Sequence, residues 1–573
     1  MYNLLKEIIK RFYFKDRYKL YLILPLSFIA AIFEYMGLIF IFQFIIILIN
    51  FESNNTKFVV NFFNKYFHIY NFSKIILIIG ILTALIYIFK NIYMFIFNKI
   101  NGFVFRDLSF KISLKIIKNI LYQDFAIVNS IDNSQKSGII TKVPIVVWGY
   151  CSQYINIITN VLIIIMAVSF LLVKFTLPAV CAFLFMSLLI TIEYIYLKYK
   201  SNKQNNLYSK YFDRLNKTLY TFINATKEIR LNNKSEYFYS TLKKQLNDMN
   251  ELNNQRSNDS VFHIHFTEIS IMLTFIIIFF VLYETTDFNN KSLILIIAVV
   301  VAVILRITPA INRAQRALYA INSNKKIVNE IIEFDKQFPE LKNINETKER
   351  LIFNNSIELK NASYCYNNSD TGLKNINLKI NKGEFIGIVG KSGTYKTTLS
   401  LIIAGLIKIQ QGQFLIDNNE IKEIDYKKWQ NNIAILSQDF CIIKDNIFED
   451  LTNEIINKLE LENFNSNPLN LSFGQKQRAA LGGILSQNKD IIILDEATSS
   501  LDVISENKIN NILKDLKGKK TIISIAHRLH ILKYCDKIIY MDEGKIIDFD
   551  TFKNLNTKYE EFRKMIELSD FKV

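Results

Sequence analysis

Gly390-Lys391-Ser392-Gly393-Thr394-Tyr395-Lys396-Thr397-Thr398 is the stretch from which the rest of this chain is read. It follows the apolar run Glu384 to Val389 and precedes Leu399 to Ala404, so it lies between a buried strand and the start of a helix. A loop in that position turns backbone N–H groups and the positive end of the helix toward one point, which suits bound phosphate. Its spacing is that of a phosphate-binding loop, G-x-x-x-x-G-K-[ST], with Tyr395 in place of the last glycine. Gly390 through Thr398 are therefore candidate phosphate contacts. Lys396 would reach the β- and γ-phosphates, and Thr397 would hold Mg²⁺. A second stretch supports the same chemistry: Asp490 to Leu494 is an apolar strand ending in Asp495 and Glu496. Asp495 suits the Mg²⁺ shell, and Glu496 suits polarisation of an attacking water.

The chain has 573 residues, of which 50% are hydrophobic and 13% aromatic. Its apolar residues crowd into runs of membrane-spanning length: Leu20 to Ile49, then about Ser73 to Phe97, Tyr154 to Val173, Leu177 to Leu197, Phe262 to Tyr283 and Ser292 to Leu318. Six spans would put both termini on one side. The segments after the second and fourth runs are long and basic, with Lys99, Arg106 and Lys111 in one and Lys198, Lys200 and Lys203 in the other, whereas the loop at Glu284 and Asp287 is short and acidic. The basic loops, both termini and the phosphate site are thus expected in the cytoplasm. The net charge of +17 follows from this loop bias, and a nucleic-acid partner is excluded. Five scattered cysteines give neither a disulfide framework nor a zinc site.

The expected organisation is a transmembrane domain over residues 1–330, a charged linker over 331–350 and an α/β domain over 351–573. Bends near Asp124 to Asn133 and near Lys227 to Asn233 would press on the α/β domain. Cations inside the spans are the informative charges, since a Lys or Arg at mid-bilayer costs roughly 2.5–3.5 kcal/mol. Lys90 lies in the second span; Arg306 and Arg313, seven residues apart, share nearly one face of the sixth, with Arg316 beside them. Lys90, Arg306 and Arg313 are candidate contacts for a phosphate or pyrophosphate headgroup; pairing with Glu34 or Glu268 is the alternative. His263 and His265 read as helix-surface residues.

Leu471-Ser472-Phe473-Gly474-Gln475-Lys476-Gln477-Arg478 resembles the signature of ATP-binding cassette (ABC) proteins, followed by Asp495-Glu496-Ala497-Thr498-Ser499-Ser500-Leu501-Asp502 at the usual distance. Gln438 resembles the Q-loop glutamine, His527 the switch histidine, and Tyr364 and Tyr366 the aromatic positions ahead of the phosphate loop. The whole chain resembles an ABC exporter half-transporter. That resemblance implies a membrane α-helical bundle of six transmembrane helices, of the type IV exporter kind, joined to an α/β P-loop cassette with a shortened helical subdomain. It implies ATP and Mg²⁺ as ligands, with Glu496, His527 and Gln438 in catalysis, Gln438 also near the metal, and Tyr366 stacked on adenine. Ser472, Gly474, Gln475 and Asp502 would complete the nucleotide sites of a homodimer or heterodimer in the bacterial inner membrane.

Within exporters, Arg306-Ile307-Thr308-Pro309-Ala310-Ile311-Asn312-Arg313, Lys90 and Phe33-Glu34 resemble the PglK-type flippases of lipid-linked oligosaccharides. This implies outward movement of a lipid-linked glycan or another amphipathic substrate. Export of a peptide or drug, or a catalytically weak subunit with a regulatory or structural role, are the alternatives. Three departures bear on the last of these: Tyr395, Phe473 where the signature has glycine, and a short interval from Gln438 to Leu471 in which Asn463 to Asn470 replaces the usual acidic stretch.

Overall fold

The computed structural model describes residues 2–49, 61, 63, 65, 66, 68, 71–174, 176–285, 290–339, 349–366, 371–422, 425–438, 440, 453–459, 461, 472–497, 502–526 and 529–568. The chain divides into two bodies, residues 1–123 with 130–341, and residues 124–129 with 342–573.

The first body is helical. Its elements are α1 (Tyr2–Phe12), α2 (Arg17–Ile49), α3 (Phe72–Tyr122), α5 (Asn133–Val146), α6 (Ser152–Lys174), α7 (Thr176–Asn224), α8 (Thr226–Leu231), α9 (Ser235–Thr285) and α10 (Asn290–Lys336); α4 (Phe125–Asn129) belongs to the second body. Each expected span lies within one of the long helices α2, α3, α6, α7, α9 and α10. Among the described residues, four stretches are long and apolar enough to cross a membrane: Arg17–Ile41, Ser73–Tyr122, Asn133–Ser169 and Ser235–Ile277.

The long helices outrun their apolar segments because one stripe stays apolar. In the charged half of α3, Phe105, Leu108, Ile112 and Ile116 are all buried at spacings of three and four. In α10, Ile327, Val328, Ile331 and Ile332 do the same, so the helix continues to Lys336 and the expected linker over 331–350 begins as helix. The two expected bends fold as the short helices α4 and α8. Charge also ties the bundle together. Lys142 Nζ lies 2.9 Å from both Asp213 of α7 and Glu330 of α10.

The second body is built on two sheets. Strands β1 (Ser356–Cys365), β2 (Gly372–Asn381), β3 (Phe385–Gly390), β4 (Gln411–Ile416), β5 (Asn419–Glu420), β6 (Ile433–Leu436), β7 (Ile491–Asp495), β8 (Thr521–Ile525), β9 (Lys537–Asp542) and β10 (Lys545–Asp550) run in chain order. An antiparallel sheet has the order β2-β1-β4-β5. A second sheet has the order β10-β9-β3-β8-β7-β6, parallel except at its β10 edge. Alternation along β3 divides the core between two faces: Phe385 and Val389 pack with Leu481 and Leu513, and Ile386 and Ile388 pack with Leu399 and Ile403.

Candidate functional site

Sheet register brings the two chemistry-bearing stretches together. β3 and β7 both flank β8, and Ile388 and Asp495 are paired with the same residue, Ile525. The loop after β3 and the carboxylates at the end of β7 therefore emerge at the carboxyl edge of the sheet on either side of β8, where open α/β sheets bind ligands. Gly390 closes β3 against β9. A Cβ there would lie 2.2 Å from the Met541 carbonyl oxygen, so only glycine allows this approach.

Lys396 opens the helix Lys396–Ile403, and its Nζ donates to the carbonyl oxygens of Gly390 at 2.9 Å and Lys391 at 2.8 Å. Burial pushes this ammonium below the ordinary lysine range, against the pull of Glu496 and Asp495. Thr397 Oγ1 donates to Asp495 Oδ2 at 2.9 Å, and Asp495 is buried. A hydroxyl and a carboxylate beside a phosphate loop are the hard oxygen donors that Mg²⁺ takes together with phosphate, so these residues fit the ion. Glu496, with φ 55°, turns the chain at the strand end; its carbonyl accepts from Gln477 Nε2 at 3.2 Å. Gln477 stands in the signature stretch, but its link to Glu496 is a tertiary contact that the motif does not report.

Tyr395 holds the left-handed conformation, φ 66° and ψ 28°, that the missing glycine would adopt freely. Its ring faces that of Tyr366, 26° from parallel and 6.4 Å between centroids. Tyr366, expected against adenine, here shares a 2.9 Å hydrogen bond between its hydroxyl and Thr398 Oγ1 and meets Tyr364 edge-on at 5.0 Å. Thr394 donates to the Lys391 carbonyl, Gly393 takes φ 82° with open space around it, and Lys391 and Ser392 are exposed.

Ser472 caps the helix Phe473–Ser486, and Gln475 completes a reciprocal capping box with it. Phe473 is 55% exposed at the first helical position and touches Phe440. Gly474 follows inside the same helix. Asp502 caps the helix Val503–Leu516, accepting from the Ser505 N–H at 2.7 Å. Gln438 is exposed after β6. His527, Leu471 and the residues 498–501 lie outside the described residues, as does most of the interval read as a shortened subdomain.

In the helical body, Lys90 is buried. Its Nζ lies 3.0 Å from Glu34 Oε2 and 4.2 Å from the centre of the Tyr87 ring. Expected as a headgroup contact, it is instead neutralised by the alternative partner, because a buried ammonium needs a carboxylate at hand. Arg313 is exposed on α10, and its Nε donates to Asn160 Oδ1 of α6 at 2.9 Å. The side chain of Arg306 lies outside the described residues. His265 is exposed as expected, but His263 is buried, with Nδ1 2.8 Å from Glu193 Oε1. Glu193 also accepts from Gln315 Nε2 at 2.6 Å. The glutamate in the fourth apolar run was the available signal for this cluster.

Among curated proteins, the chain is similar to one named an export ATP-binding/permease protein in Rickettsia typhi, with 35% identity over 37% of this chain and 41% of that protein. It is 29% identical to the ATP-dependent lipid A-core flippase of Photobacterium profundum, over 35% of this chain and 39% of that one. It is 31% identical to a protein named for multidrug export in Staphylococcus aureus, over 37% and 41%. The chain thus spans about two fifths of the length of these relatives. The structure of a bacterial Atm1-family ABC exporter with ATP bound superposes with a TM-score of 0.76 at 15% identity, over 97% of this chain and 99% of that one. Residues 373–499 match the ABC transporter family model, and the chain as a whole has the fold of an ABC exporter.

Proposed function

We propose that this chain is one half of a dimeric exporter that couples ATP hydrolysis to outward movement of a phosphate-bearing, lipid-linked glycan. The observation that carries the ATPase reading is the convergence of Lys396, Thr397 and Asp495 at one edge of the parallel sheet. Lys396 and the N–H groups of Gly393 to Thr398 bind the β- and γ-phosphates, which replace the two carbonyls now holding the ammonium. Thr397 and Asp495, with Gln438, hold Mg²⁺, which supplies charge neutralisation on the phosphate oxygens. Glu496 orients and polarises the attacking water, and His527 acts beside it. Ser472 of the partner subunit and Gly474 of the partner subunit close the site over the nucleotide, with Gln475 and Asp502 supporting the helix starts around it.

The glycan reading is supported by Arg313, whose guanidinium is oriented by Asn160 on an exposed face of α10, with Arg306 two turns away. Lys90 is assigned to joining α2 and α3. Flipping of a radiolabelled lipid-linked sugar in proteoliposomes should fall when Arg306→Ala and Arg313→Ala are combined; unchanged transport would remove that substrate.

Two other readings each have an observation behind them. The relative named for multidrug export favours a drug or peptide, which would stimulate ATP hydrolysis where lipid pyrophosphates do not. Tyr395 in a left-handed conformation and Phe473 exposed at the signature favour a catalytically weak subunit beside a better-preserved partner. ATP hydrolysis by the purified chain in lipid nanodiscs separates them. Activity that Glu496→Gln abolishes supports the working ATPase; an inactive parent that gains activity as Tyr395→Gly at saturating ATP supports the weak subunit.

A further inference from the structure

Tyr395 does more in this site than occupy a glycine position. Its ring faces that of Tyr366 with centroids 6.4 Å apart and planes 26° from parallel. A planar base held between two rings needs about 7 Å, twice the ~3.5 Å contact distance between carbons. The observed 6.4 Å is an upper limit on the gap between the two planes and falls short of that figure, so the rings part on admitting a base; as they stand, both are supported. Tyr366 is anchored by its hydroxyl on Thr398 and by the edge of Tyr364. Tyr395 lies against Gly544, where a Cβ would come 3.4 Å from its Cδ2 and 2.0 Å from the Gly372 carbonyl oxygen. Gly544 lies in the turn between β9 and β10, so that turn borders the ring. Both tyrosines flank the start of the helix that begins at Lys396, so a base between them is joined to phosphates on the loop.

We propose that Tyr395 is a second base-stacking residue: a purine ring sits between Tyr366 and Tyr395, and this cassette binds its nucleoside triphosphate through the base as well as through the phosphates. The inference rests on the nucleotide-binding reading above. Stacking on two faces accepts adenine and guanine alike, since every base offers a π-face and neither phenol ring reads the base edge. The αL backbone that a tyrosine adopts at a cost is, on this account, what aims the ring at Tyr366.

The test is calorimetric titration of the full-length chain in lipid nanodiscs, with Mg²⁺ and three probes: AMP-PNP, GMP-PNP and inorganic tripolyphosphate. Tyr395→Phe should bind all three as the parent does. Tyr395→Asn, which tolerates the left-handed backbone but has no ring, should bind AMP-PNP and GMP-PNP about 5- to 150-fold more weakly, with tripolyphosphate unchanged. Unchanged AMP-PNP affinity in Tyr395→Asn would overturn the proposal. So would an equal loss for tripolyphosphate, which would place the effect in the phosphate loop. A parent that binds tripolyphosphate as tightly as AMP-PNP keeps the phosphate site and removes the base clamp; a parent that binds neither overturns the nucleotide reading itself.

Discussion

Gly390 and Tyr395 stand five positions apart in one loop and show how differently a pattern constrains its members. At Gly390 the limit is steric, because any side chain meets the Met541 carbonyl oxygen at 2.2 Å and pushes β3 from β9. Gly390→Ala is expected to destabilise the cassette by about 2–4 kcal/mol, read as a lower unfolding temperature of the whole chain. At Tyr395 the limit is conformational, a cost of about 1–3 kcal/mol that tertiary packing can outweigh, and the ring faces Tyr366 and lies beside Gly544. The phosphate-loop spacing was legible in the sequence, but the direction of the Tyr395 ring was not, since nothing local reports the strands that receive it. Glu496 makes the sharpest chemical prediction. Glu496→Gln should slow hydrolysis at saturating ATP by about 10²–10⁴-fold while nucleotide still binds, a split seen by comparing phosphate release with AMP-PNP titration.

Between elements, charge pairs decide which contacts are structural. Glu34 of α2 and Lys90 of α3 are both buried and 3.0 Å apart, so removing one leaves the other charged in an apolar setting. Lys90→Leu should cost about 3–5 kcal/mol, and adding Glu34→Leu should recover most of it, as measured by thermal unfolding in nanodiscs. A double variant no more stable than the single one would mean that the pair does not hold α2 to α3. In the cassette, Asp417 fastens the start of β1 to the turn after β4: its carboxylate accepts from the N–H groups of Asn354 and Asn355 at 2.7 Å and Ser356 at 2.9 Å. Burial raises this carboxyl, but the three N–H donors outweigh it and hold it below the usual carboxylate range. A group lowered on folding stabilises above its unfolded pKa of about 3.9, and that contribution fades as pH falls through the folded value. Asp417→Asn should therefore cost about 1–3 kcal/mol at neutral pH, and the gap from the parent should narrow below about pH 4, followed by fluorescence with Trp429 buried in the same core.

At the scale of the whole molecule, the proposed dimer has its own consequence. The signature helix beginning at Phe473 carries its capped N-terminus on a different element from the phosphate loop, and a second chain would bring the two together. Glu496→Gln with ATP and Mg²⁺ should accordingly trap particles holding two copies, seen as a doubled protein mass per nanodisc; single copies throughout would point to a different partner chain. By itself the sequence determined the membrane-length apolar runs, the basic loops and the nucleotide motifs, because hydropathy, charge and short spacing are local properties of a chain. It could offer Lys90 two partners but not choose Glu34, and it read His263 as surface where the bundle buries it against Glu193. It also named the phosphate loop and Asp495 separately, without β8, whose Ile525 pairs with Asp495 and with Ile388 ahead of the loop. Those outcomes belong to tertiary structure, since burial and pairing depend on which helix or strand arrives opposite, and residues distant in sequence supply that face.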